Sequence, residues 1–156
     1  MGVQMLFGDI EAELADYLVT YLNAHASKIG ISGEVLVTNQ IATETAAGGL
    51  DMPAEWAVGV RDDGGQIESA VTRRHTIGTT ILGSPKDIAG RTTAKLAELV
   101  MLAVAELPML EDSNVAAVTA QMGPYRIVQG NNVRPARYAT HELVASGRDP
   151  VEVLGG

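Results

Sequence analysis

Apolar residues at the start of the chain recur as Ile10, Leu14, Tyr17, Leu18, Tyr21 and Leu22, a set that lies on one side of a helix. Asp9 is placed to cap that helix, and Glu11 and Glu13 suit the positive end of its dipole. Gly30 and Gly33 end the segment. The period then falls to two. Residues 34–40, EVLVTNQ, alternate and are β-branched, which predicts a strand. Trp56, Val58 and Val60 predict a second. Inside the following RDDGGQ, Asp63-Gly64 predicts a hairpin turn, because such turns take residues that tolerate positive φ. Residues 67–83 return as one long bent strand or two short ones, with Arg73, Arg74 and His75 marking a bend or a wet edge.

Ser84-Pro85 predicts the entry to a second helix, a capping hydroxyl followed by Pro at the first helical position. Ile88, Thr92, Leu96, Leu99, Ala103 and Leu107 mark one face, and Ala94, Ala97, Met101, Val104 and Ala105 make other faces apolar as well. Such a helix requires burial on several sides. The first helix or another subunit is expected to supply what one sheet does not. Pro108 stops the helix. Residues 115–122, VAAVTAQM, predict a strand that Gly123-Pro124-Tyr125 breaks and that residues 125–128 continue. GNNVRP forms a loop, and residues 136–145 form the last strand. The order is α-β-β-β-α-β-β. Strands in runs with two helices define an α+β class: a single domain over residues 1–156 with a largely antiparallel sheet. Residues 41–52 lack periodicity and are rich in Ala, Thr and Gly, so a long mobile loop is expected there. Residues 148–156 are expected to form a short frayed tail.

Composition changes the picture in one direction. The 156 residues carry a net charge of −8 and no cysteine. The acidic balance argues against broad gripping of nucleic-acid phosphates, and the missing thiols exclude disulfides and Cys-ligated metal. The apolar window over residues 96–105 is far shorter than the ~20 residues of a membrane span, and the first residues show no basic, apolar or cleavable targeting pattern. Candidate chemistry is sparse. His25, His75 and His141 have no neighbour at metal-ligand spacing. Asp62-Asp63 beside Gly64-Gly65 is explained by turn chemistry. No phosphate-binding glycine loop and no nucleophile elbow occurs, so no catalytic, cofactor or metal site is expected. Arg126, Arg134 and Arg137 flank the GNNVRP loop, either as a small basic patch for a partner or as a solvated hairpin tip. Tyr125 either anchors an interface or fills core beside Trp56.

Five segments, in order, resemble tail terminator proteins of long-tailed (siphovirus-type) bacteriophages of actinobacteria. VGVRDDGGQ (residues 58–66) is similar to the family's VRDDGG strand-turn, and TRRHTIGTTILGSPKD (72–87) to its strand and helix entry. LAELVMLAVAELP (96–108) resembles its apolar helix, VAAVTAQMGPYRI (115–127) its VAAV…GPY segment, and RPARYATHELVASGR (134–148) its closing strand. Residues 41–52 match no part of the pattern. His141 and Glu142 stand where a more apolar strand is usual. The resemblance implies a non-enzymatic virion protein that needs no cofactor: a homo-oligomer, typically a hexameric ring, at the head-tail junction. It would cap the tail tube, stop its polymerisation and offer the head-joining surface, after assembly in the host cytoplasm. The implied partners are the major tail tube protein and a head-completion or stopper protein. Double-stranded DNA would pass the lumen without specific binding. The assembly-interface residues expected are Thr43, Gly48, Gly49, Leu50, Arg73, Arg74, Met101, Val104, Tyr125, Arg126, Arg134 and Arg137. The alternatives are another head-to-tail connector, a stopper or adaptor, and more distantly a small ligand-binding domain or enzyme.

Overall fold

The computed structural model describes residues 10–38, 54–69, 72–110, 113, 115–123, 126–129 and 133–146. Helix α1 (Ile10–His25) buries Ile10, Leu14, Leu18 and Leu22, the stripe its spacing dictates. A 3-10 turn (Ala26–Ile29) follows and closes on Gly30 at φ +88°. The strands are β1 (Val35–Thr38), β2 (Trp56–Ser69), β3 (Thr72–Leu82), β4 (Val115–Met122), β5 (Arg126–Gln129) and β6 (Val133–Ser146), and helix α2 (Arg91–Ala105) lies between β3 and β4. The sheet order is β1-β2-β3-β6-β4, with β5 also paired to β6. All pairings are antiparallel except β1 with β2. The result is a single α+β domain of two helices and a six-stranded, mostly antiparallel sheet. Residues 126–129 are a separate short strand, and β6 begins earlier than residue 136.

Both helices cover one face. Val58, Val60, Ile77, Ile81, Ala139 and Leu143, alternating along β2, β3 and β6, join Leu14, Leu18, Leu96, Val100 and Val104 in one core. On the opposite face a small cluster of Ala57, Leu82 and Ala136 closes one end of the sheet.

Two local expectations are corrected. Asp63-Gly64 does not turn the chain. Asp62 stands opposite Ile77 and Gly65 opposite His75, so one extra residue of β2 bulges there, and the strand runs on to Ser69. Gly64 does have positive φ, +112°. A bulge and a turn ask the same of glycine. The second helix does not start at Ser84-Pro85. It starts at Arg91, after Gly90 at φ +69°. Ser84 Oγ instead accepts from the Lys86 N–H (3.1 Å) and donates to Glu55 Oε1 (2.8 Å). The carboxylate that satisfies the first turn is Asp87, which accepts from the Thr93 N–H and the Thr93 hydroxyl, both at 2.7 Å. Ile88, placed on a buried helix face by its spacing, lies in the preceding loop and is 87% exposed.

Candidate functional site

Among the described residues, those expected at an assembly surface lie in three parts of the fold: Arg73 and Arg74 in β3, Met101 and Val104 in α2, and Arg126, Arg134 and Arg137 in β5 and β6. Thr43, Gly48, Gly49, Leu50 and Tyr125, with the whole of residues 41–52 and 148–156, lie outside the described residues. Arg126 opens β5. Val104 is fully buried, and Met101 packs half-buried against the same core. The surplus apolar surface of α2 is therefore taken up within the domain. Its sheet-facing side meets β3, β4 and β6, and α1 covers another, with the Tyr17 hydroxyl donating to the Ala103 carbonyl at 2.6 Å. That burial, with Glu106 nearby, holds the Tyr17 phenol protonated well above its ordinary range. What α2 leaves to solvent is the stripe Arg91, Lys95, Glu98, Leu102 and Ala105, in which Leu102 is the one large apolar side chain.

The arginines divide by face. Strand alternation sends Arg73 and His75 to the helix side and Arg74 to the other, so the triplet is neither a bend nor a uniformly wet edge. Buried Arg73 donates to the carbonyls of Ser69 (2.9 Å) and Thr72 (3.3 Å). Arg74 meets Glu68 and Glu142, each at 3.4 Å. Arg134 is not part of a solvated patch. It is buried, and its guanidinium ties three distant carbonyls together: Gly83 (2.9 Å), Ala54 (2.8 Å) and Glu55 (2.8 Å). Burial lowers its pKa, and Glu55 opposes the shift. Half-buried Arg137 donates to the Gly123 carbonyl at 3.4 Å.

The histidines are structural in their surroundings. His25 stacks on Tyr21 with ring centroids 4.4 Å apart. His75, buried, places Nδ1 3.2 Å from Asp62 Oδ2. The bulge carrying Asp62 is held from α1, because the Asp62 N–H donates to Glu11 Oε2 at 2.8 Å. His141 is fully buried under the helices. Thr79 Oγ1 donates to the Ala139 carbonyl (3.3 Å) and lies 3.0 Å from His141 Nε2. His141 Nδ1 has no hydrogen-bond partner among the described residues. Burial pushes the His141 pKa down to about 4.

An open depression of about 260 Å³ lies beside Trp56 and is edged by Ser32, Glu55, Ser84, Lys86 and Asp87. Its carboxylates are already committed, Glu55 to Ser84 and Asp87 to the start of α2. Among the described residues no group of three or more His, Asp or Glu is placed to hold a metal ion, and no helix is long and apolar enough to cross a membrane. No family model matches the chain, and no curated protein matches it.

Proposed function

We propose that the protein is a tail terminator, one subunit of a ring, typically of six, that caps the tail tube of a long-tailed actinobacterial phage. The ring stops tube polymerisation and presents the surface to which the filled head is joined. The observation that carries this reading is the ordered set of five segments between residues 58 and 148. Each falls on a discrete element: the bulged β2, then β3 with the loop to α2, α2 itself, β4 with β5, and β6. The segments thus account for the central strands and one of the two helices. The net charge of −8 is compatible with a DNA passage that does not hold phosphate. Purified protein added at substoichiometric amounts to polymerising major tail tube protein should shorten the tubes and leave a ring at one end in negative stain. Tubes of unchanged length with bare ends would overturn the reading.

A further inference from the structure

The two helices carry their charges in opposite order. In α1 the acids Glu11 and Glu13 stand in the first turn and His25 in the last, as the helix dipole favours. In α2 the first turn holds no acid and the last turn no base. Arg91 and Lys95 occupy the positive end instead, one turn apart, where they oppose the dipole and repel each other. Glu98 and Glu106 lie toward the negative end. All four are exposed, and none is part of an ion pair among the described residues. Each end of the stripe also carries an uncovered apolar side chain: Ile88 just before α2, 87% exposed, and Met109 just after it, 83% exposed. The chain from residue 72 to 110 is described throughout, so this surface is known along its whole length. Its polarity costs the isolated helix stability, and a neighbour of reversed polarity recovers that cost.

We propose that α2 packs against α2 of a second copy of this chain, antiparallel about a twofold axis near Glu98. The reversed neighbour is then the same helix. Arg91 of one copy meets Glu106 of the other, and Ile88 meets Met109, each pair formed twice. Lys95 lays its stem on Leu102 of the other copy, one turn from that copy's Glu98, so the two carboxylates beside the axis are flanked by ammonium groups. A parallel pair would set Arg91 against Arg91 and Glu106 against Glu106, so the charge pattern selects the antiparallel sense. The two cations and two carboxylates of the stripe leave the contact itself without net charge. The overall −8 acts from the rest of the surface and is screened beyond ~8 Å at physiological salt. One helix a side is a small contact, so the dimer belongs to the transient class and forms as concentration rises. It stands apart from the terminator reading, because a ring is built from head-to-tail contacts and this one is isologous.

Sedimentation equilibrium over a concentration series tests it. The wild-type mass should climb from one chain toward two. Arg91→Glu and Glu106→Arg should each stay monomeric across the series. An equimolar mixture of those two variants should recover the doubling, because every acid then faces a base again. Arg91→Glu places an acid in the first turn, so its melting temperature should hold or rise, which separates lost pairing from lost folding. A wild type that stays monomeric, a single variant that pairs like the wild type, or a mixture that stays monomeric overturns the proposal. A larger species that depends on the same charges would reject the twofold pair and give this surface to the ring. Tube capping retained by Arg91→Glu would keep the terminator reading whichever way the masses fall.

Discussion

The two faces of the sheet share the same strands and follow opposite rules. Under the helices, Ile77, Ile81 and Leu143 are fully buried, and even the polar Thr79 and His141 are sealed among them. One residue along, Gly78, Thr140, Glu142 and Arg74 look the other way, and the Arg61–Asp63 pair lies across Gly78. Burial contributes roughly 25 cal/mol per Å² of apolar surface, so the stabilising work falls almost wholly on the helix side. The lesson is that the open face is free to vary in chemistry, while the covered face is constrained in volume and in protonation.

The largest effect expected from that division is at Leu143. Leu143→Ala should cost about 2–5 kcal/mol in urea unfolding, the transfer loss plus the cavity it leaves. Acidification comes next. His141 titrates at about 4 when folded against 6.5 when exposed, so between those values the unfolded chain binds a proton that the native chain refuses. Stability should be undiminished above the upper value and fall as pH drops toward the lower, by about 3 kcal/mol in all. His141→Gln should remove that part of the slope, and an unchanged slope would place the buried charge elsewhere. Smaller losses belong to the corrected local devices: Asp87→Ala and Gly64→Val should each cost about 1–2 kcal/mol in thermal or urea melts, by loss of the helix cap and by strain at positive φ. Smallest of all, Thr140→Ala on the open face should stay within about 0.5 kcal/mol. Arg74→Ala, whose ion pairs face water, should leave the melting temperature in place. A Thr140 effect as large as that at Leu143 would break the comparison.

Periodicity made the frame legible. The α1 stripe, the alternation of β3 and the closing strand follow from spacing alone, because one face of each is buried. What failed to show were features decided by distant partners. Asp-Gly announces a positive φ, but whether the chain turns or bulges depends on how β2 registers against β3. Ser84-Pro85 is a sound helix entry in isolation, yet Ser84 is drawn to Glu55 and Asp87 does the capping. Arg134 read as a tip charge because nothing beside it in sequence reveals its partners, the carbonyls of Ala54, Glu55 and Gly83. The apolar letters around Val104 do not say whether α1 or another copy covers them, and in the structure Val104 lies in the core shared with α1.

The strand order carries a consequence for biosynthesis. β6 follows the other five described strands in sequence and sits between β3 and β4. A nascent chain that has already emitted β1 through β5 therefore cannot zip its sheet progressively. β3 has no neighbour on one side and β4 none at all until β6 arrives and inserts between them. The domain should complete its fold late, in one cooperative closure. In that interval β3 and β4 present unpaired edges, which is when a chain of this topology is most exposed to non-native strand pairing.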